Sequence, residues 1–332
     1  MANPPGVEHG SGATATLPGG RGPSAPAATA AAAPRLAAGD AGAAAGLRAL
    51  LGDYLSLAKP RITLLNLITT FAALWLASGG RPAPGLLAAT MTGTALAVGA
   101  GAVFNCWVER ERDGLMSRTR HRPLPAGRLP AGAALRFGIV LTALGLLVLA
   151  WWTTPMATAV AAGGILFYGG FYTAVLKTRT HWNTVLGSVA GAVPPLIGWT
   201  AVTGRLDAGA LVVAAVVFAW QPVHFWALAL KYTDDYRRAG IKMLPVTHGA
   251  AVTRRQILIW TVGMVAASLL VHRLGMGGPV YLAVAAAGGV LMLWTAVDTL
   301  REQGTRAAWR LFHWSNLYLG VLYLLMILDG GS

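Results

Sequence analysis

With 332 residues, 55% of them hydrophobic and only 11% charged, the chain falls far below the roughly 25% charged residues of a soluble domain. Its net charge of +14 suits either nucleic acid or an anionic membrane surface, and the apolar runs decide for the bilayer and against nucleic acid. A single cysteine, Cys106, rules out an intrachain disulfide and a cysteine-built metal cage.

Residues 1–47 are rich in Ala, Gly, Pro and Thr and hold no aromatic residue. Such a segment buries too little apolar surface to offset its ordering entropy, which predicts a disordered tail ahead of a membrane domain over 48–332. It has neither the charged start nor the compact apolar stretch of a signal peptide. A bilayer-spanning helix needs about 20 mostly apolar residues. Nine runs qualify: 62–79, 86–106, 136–153, 156–176, 182–202, 208–230, 256–272, 278–298 and 308–328. They are broken at Gly79-Gly80-Arg81-Pro82, Pro155, Thr203-Gly204-Arg205 and Gly275-Met276-Gly277-Gly278. The expected fold class is all-α, a polytopic membrane protein with nine transmembrane helices.

Lysine and arginine orient the spans. With the N-terminus inside, only Arg81, Arg205 and Arg273 fall outside, and the other 23 of the 26 basic residues fall inside. A missed or invented span would scramble that split. Two inside loops, 107–136 and 231–255, follow the second and sixth spans and hold five of the membrane domain's ten acidic residues. Their spacing of four spans hints at an internal repeat.

Asn105, Glu109 and Asp113 recur at every fourth residue. Each step of four turns a helix about 40° past a full circle, so all three share an arc of about 80°. Oxygen donors on one face are what Mg²⁺ takes when it also carries substrate phosphates; a charged helix end paired with Arg110 and Arg112 is the plainer alternative. Arg118, Arg120, Arg122 and Arg128 follow in a basic run that ends in the stiff Pro123-Leu124-Pro125-Ala126-Gly127 segment. Guanidinium groups there suit phosphate or a positive-inside anchor. His224 lies within the sixth span, flanked by Phe225 and Trp226. A polar residue at membrane depth is either a ligand for an acceptor or metal, or a hydrogen-bonded structural histidine. Asp234 and Asp235 are adjacent and repel unless a cation neutralises them, or else they form part of a solvated loop. Trp107, Phe167, Tyr168, Phe171, Tyr172, Phe225 and Trp226 are candidates to line a cavity and stabilise a cation, or are ordinary core aromatics.

From about Tyr54 to Leu328 the chain resembles the UbiA superfamily of intramembrane prenyltransferases, and within it the haem-farnesylating branch. The resemblance rests on three strings. The first is Leu57-Ala58-Lys59-Pro60-Arg61. The second is Asn105, Glu109 and Asp113 running into Met116, Arg118, Arg120 and Arg122. The third is His224-Phe225-Trp226 followed by Lys231, Tyr232, Asp234, Asp235, Tyr236, Gly240, Leu244 and Pro245. Glu109 stands where the family usually has Asp; it keeps the charge and reaches one methylene further. The resemblance implies nine helices around a central cavity open to the membrane. It implies Mg²⁺ held by Asn105, Glu109, Asp113, Asp234 and Asp235, with farnesyl diphosphate and haem b as substrates and haem O as product. Lys59, Arg61, Arg118, Arg122, Lys231, Tyr236 and Lys242 would meet substrate, chiefly the diphosphate, and His224 would face the haem. It further implies a multi-pass protein of the plasma membrane rather than the mitochondrial inner membrane, with haem A synthase or terminal oxidase assembly factors as protein partners.

A prenyltransferase for a quinone precursor or other aromatic acceptor shares the Asn105–Asp113 site but not the strings at His224 and Lys231. A secondary transporter would carry its polar residues at mid-bilayer between repeats, whereas these acidic sites lie at helix ends. Reporter fusions at Gly204 and Gly240 are expected on opposite sides of the membrane; landing on the same side refutes the nine-span topology.

Overall fold

Four of the long helices begin at a proline, Pro60, Pro84, Pro155 and Pro279. There the fixed φ suits a first turn, and the missing N–H has no intrahelical partner to lose. The Thr154 hydroxyl accepts from the Ala157 N–H, capping the start at Pro155, and the Asp207 carboxylate accepts from the Ala210 N–H, capping one further start. Gly204 closes one helix at φ 65°, a left-handed cap that glycine takes without a steric penalty.

The structure, a computed structural model, describes residues 36–302 and 304–330, with side chains from residue 45. The elements in order are α1 (Leu36–Leu57), α2 (Pro60–Ala77), α3 (Pro84–Gly114), α4 (Ala131–Trp152) and α5 (Pro155–Ile165). A π-helical stretch (Leu166–Leu176) leads into the single turn α6 (Lys177–Arg179). Then come α7 (Asn183–Thr203), α8 (Ala208–Lys231), the short α9 (Thr233–Arg238) and α10 (Leu244–Thr247), α11 (Gly249–Arg273), α12 (Pro279–Arg301) and α13 (Arg306–Leu328). The tail expected over 1–47 falls mainly on residues 1–35, outside the described residues. From Leu36 the chain is helical, because this stretch is rich in alanine, the strongest helix former.

Among the described residues there is no strand, and nine helices are long and apolar enough to cross a membrane. They match the nine runs one for one, with α5, the π-helical stretch and α6 forming the single span Pro155–Arg179. The chain is a multi-pass membrane protein. Two boundaries differ most from the sequence expectation: α3 runs on to Gly114, and α11 starts at Gly249. Hydropathy marks where the apolar stretch ends, whereas the backbone ladder continues as long as polar side chains find partners.

Six elements enclose a cavity: α2, α3, the Pro155–Arg179 span, α7, α8 and α13 all contribute to its wall, while α4, α11 and α12 pack behind them. Close approach of helix backbones, the usual device of membrane bundles, holds the ring. A Cβ on Gly198 of α7 would lie 2.1 Å from the Thr70 carbonyl oxygen of α2. The Thr70 hydroxyl donates to Pro194 O at 3.1 Å across the same contact. Gly187 likewise leaves room for the Tyr172 ring, 2.4 Å from where its Cβ would sit.

Gly198→Ala should therefore push α2 from α7 and cost about 1–3 kcal/mol by overpacking, seen as a lower Tm in detergent. Gly263→Ala on α11, where nothing lies within 4 Å of a new Cβ, should be neutral or mildly stabilising.

Candidate active site in the central cavity

The extended α3 carries Asn105, Glu109 and Asp113 down one face onto the cavity wall. All three are buried, with Glu109 4% and Asp113 1% exposed. Buried carboxylates demand counter-charge, and each has one. Lys177 Nζ donates to both Glu109 oxygens, at 2.7 and 2.8 Å. Arg122 Nη1 donates to Asp113 Oδ2 at 2.6 Å. Asn105 bridges the set: its Oδ1 accepts from Lys59 Nζ at 2.7 Å, and its Nδ2 donates to Glu109 Oε2 at 2.9 Å.

Lys59 reaches Asn105 from an unusual backbone. It lies at φ 50°, the one described non-glycine residue with positive φ, immediately before Pro60. A left-handed residue before proline is strained, and such strain collects at functional sites. Asp53 of α1 in turn holds Arg128 through both carboxylate oxygens at 3.0–3.1 Å.

The loop after α3 folds over one end of the cavity. Arg118 and Arg122 line the wall, as do Arg61 and the buried Tyr236. Asp235 does not; it accepts from Ser117 Oγ at 2.7 Å and pairs with Arg238, tying α9 to the loop. Burial would raise its carboxyl, but the Ser117 hydrogen bonds and the Arg238 charge outweigh it and hold the group below the usual carboxylate range. The structure does not bring Asp234, Lys231 or Lys242 to the wall. Asp234 is 77% exposed and paired with Arg237. Lys231 lies 3.5 Å above the Trp309 ring. Lys242 is exposed, and its N–H donates to Lys177 O.

Deeper in the cavity the two walls differ in kind. Small residues of α3 and α5, Ala97, Gly101, Ala161 and Gly164, leave room on one side. Trp220, His224, Phe225 and Phe312 of α8 and α13 face it. The His224 ring is stacked between Trp220 at 4.4 Å and Phe312 at 4.2 Å, and its Nδ1 lies 3.2 Å from Ser315 Oγ. Among the other aromatic candidates, Tyr168 and Tyr172 line the cavity, Trp226 is fully buried in the core, and Phe171 is 53% exposed on the outer surface. Trp107 and Phe167 are not on the wall.

Sequence reasoning counted Lys177 only as an inside charge and missed Ser315, Phe312 and Asn183. The fully buried Asn183 amide donates to Thr180 O and Lys242 O, both at 2.8 Å, which fixes the turn behind Lys177. One signal for Lys177 was available. The chain has four lysines, Lys59, Lys177, Lys231 and Lys242, against 22 arginines. A lysine ending an aromatic span is therefore out of keeping with its arginine anchors. The 11-residue π-helix that presents Lys177 is itself rare and tends to mark functional sites.

Mg²⁺ in phosphate chemistry takes one or two carboxylates, with substrate oxygens and water completing its shell. The hard oxygen donors of Asn105, Glu109 and Asp113 fit it in kind. Among the described residues no three His, Cys, Asp or Glu side chains converge to cage a metal unaided, so a metal here needs oxygens from a substrate.

Fold and site together define an intramembrane enzyme whose cavity of about 770 Å³ has an acid- and cation-lined end and a largely apolar remainder, a size suited to large ligands. Residues 66–317 match the model of the UbiA prenyltransferase family, and the chain belongs to that family. The transporter reading falls with that match. Its relatives include the protoheme IX farnesyltransferase of Symbiobacterium thermophilum, 48% identical over 83% of this chain and 93% of the relative. The protein of that name from Marinobacter nauticus is 43% identical over 83% of this chain and 92% of its own length. The fold is shared with a solved digeranylgeranylglyceryl phosphate synthase, with a TM-score of 0.71 at 18% identity over 84% of this chain and 98% of the other. It is shared too with a UbiA homologue from Archaeoglobus fulgidus bound to GPP and Mg²⁺, with a TM-score of 0.59 at 14% identity over 83% and 99%.

Arg122→Gln leaves the Asp113 carboxylate buried without its cation. The expected loss is about 3 kcal/mol, the low end for a broken buried pair because a quarter of Arg122 is exposed. Adding Asp113→Asn should recover most of it, read as Tm in detergent.

Proposed function

We infer that this chain transfers the farnesyl group of farnesyl diphosphate to the vinyl group of haem b, giving haem O and diphosphate. The single observation that carries this is the division of one cavity into three parts: a cation- and oxygen-lined end, a small-residue wall and an aromatic wall bearing His224. A prenyl diphosphate and a flat acceptor need those environments side by side. The relatives named protoheme IX farnesyltransferase, at 43–48% identity over most of their length, supply the acceptor.

In this scheme Asn105, Glu109 and Asp113 would hold Mg²⁺, and Arg61, Arg118, Arg122 and Lys59 would carry the diphosphate charge. Asp235, bonded to Ser117 and Arg238, and the exposed Asp234 are off the cavity wall and are left out, as are Lys231 and Lys242. Bound Mg²⁺ would neutralise charge on the leaving diphosphate. As the farnesyl C1–O bond breaks, positive charge develops at C1, and the Tyr168 and Tyr172 rings on the wall stabilise it electrostatically. The terminal vinyl carbon of the haem forms the new bond to C1, and the cation left beside the macrocycle takes hydroxide from water, releasing a proton. The stacked, Ser315-bonded imidazole of His224 is fixed in orientation, as second-sphere hydrogen bonds fix ligating histidines, and would meet the haem. The 23-to-3 charge split supports an N-terminus in the cytoplasm, and the bacterial relatives support the plasma membrane. Its product would pass to a haem-modifying enzyme or an oxidase assembly factor.

Purified protein incubated with haem b, farnesyl diphosphate and Mg²⁺ should yield a pigment heavier by one farnesyl group plus one hydroxyl, read by mass spectrometry. Asp113→Ala should lower turnover by at least about 10²-fold, equivalent to about 2.7 kcal/mol of transition-state stabilisation, while remaining folded. Product from an aromatic quinone precursor but not from haem would sink the acceptor assignment.

A further inference from the structure

The oxygens assigned to the metal are already in use. Asn105 Oδ1 accepts from Lys59, Glu109 accepts twice from Lys177, and Asp113 Oδ2 accepts from Arg122, all at 2.6–2.8 Å. All six residues share the cavity wall. An ammonium 2.7 and 2.8 Å from both Glu109 oxygens fills the bite a divalent ion would take, and two cations cannot share it without strong repulsion. A bound metal and these chain cations therefore compete for the same atoms.

We propose that Lys59, Lys177 and Arg122 are exchangeable counterions, which hold the metal-ligand oxygens until a diphosphate draws them off and lets Mg²⁺ in. This rests on the Mg²⁺–diphosphate assignment above, and it adds Lys177 to the diphosphate-binding set. The side chains suit the exchange. Lysine is a compact charge on a flexible four-carbon stem. The base of the Lys177 stem is pinned, since its carbonyl accepts from the Lys242 N–H at 3.2 Å. Its head lies 5.4 Å from the Tyr172 ring centroid, which offers the ammonium a face while it moves. Lys59 likewise has its backbone set at the strained bend, with its head at the end of the stem on Asn105 Oδ1.

Coupling between the two ligands follows. Mg²⁺ alone must displace three cations that gain no new partner. Diphosphate alone brings negative charge beside carboxylates that remain uncompensated by metal. Arriving together, each chain cation trades one oxygen for another. Each ligand must then strengthen the other by the same factor. The site fills with metal only when there is a diphosphate to ionise.

The test uses full-length protein in lipid nanodiscs. Radiolabelled farnesyl diphosphate is titrated with Mg²⁺ and with EDTA, and Mg²⁺ alone is titrated by calorimetry. In the unaltered protein Mg²⁺ should tighten farnesyl diphosphate binding at least about tenfold, within the usual range of coupled sites. In Lys177→Gln, Mg²⁺ alone should bind about tenfold tighter than in the unaltered protein, and its effect on farnesyl diphosphate should shrink to about threefold or less. Farnesyl diphosphate binding that is equally tight with and without Mg²⁺ overturns the exchange and leaves the diphosphate site standing. So does a Lys177→Gln protein that binds Mg²⁺ no better. No farnesyl diphosphate binding under any condition removes the functional assignment itself. If Lys177→Gln does not fold, Lys59→Gln carries the same expectation at Asn105, and the unaltered protein's Mg²⁺ dependence decides alone.

Discussion

Two carboxylates buried on a membrane helix govern the rest of this architecture. Glu109 and Asp113 are almost inaccessible on α3. An isolated charge there costs several kcal/mol, and a broken pair costs nearly as much. Each must therefore meet a cation, and no cation is near enough on α3's own face. Arg122 has to come back from the loop that follows, and Lys177 has to come across from the end of the fourth span. Lys59 is drawn to Asn105 from the far side at the expense of a left-handed backbone before a proline. Three separate segments are thus pulled to one point by charge, and that point is the end of the cavity.

The apolar part of the bundle answers a different constraint. Hydrophobic burial gives little drive between helices in lipid, so contact comes from backbones that approach closely. Gly198 against the Thr70 backbone is such an approach, while Gly187 and Gly191 leave room for the Tyr172 and Gln221 side chains. They place α7 next to α2, the π-helical stretch and α8 together, which closes the ring. The cavity persists inside because the side chains facing it on α3 and α5 are small while those on α8 and α13 are held in a ring stack.

Much of this was readable without coordinates. The nine spans follow from runs of apolar residues, and the α3 acidic face follows from a four-residue spacing that the helix preserves. The tail expected over 1–47 lies mostly outside the described residues; from Leu36 on, where the two overlap, an alanine-rich composition suits a helix as well as an unstructured segment. The loop drawn from 107 failed because α3 keeps its ladder through Asp113 once counterions cover its acids. Adjacent aspartates looked equivalent in sequence, yet a helix turns about 100° per residue. Asp235 is buried against Ser117, and Asp234 is exposed beside Arg237.

By itself the sequence determined which segments cross the bilayer, which family they belong to and which face of α3 carries the oxygen donors. Those are local properties, written in residue type and short-range spacing. Only the tertiary structure decided which cation answers which acid. It recruited Lys177 across 68 positions to Glu109 and Ser315 across 91 to His224, and left Lys231 and Lys242 outside. Such pairings depend on which helices become neighbours. That neighbourhood is set by glycine contacts and by the cost of leaving a buried charge alone, neither of which has a spacing to read.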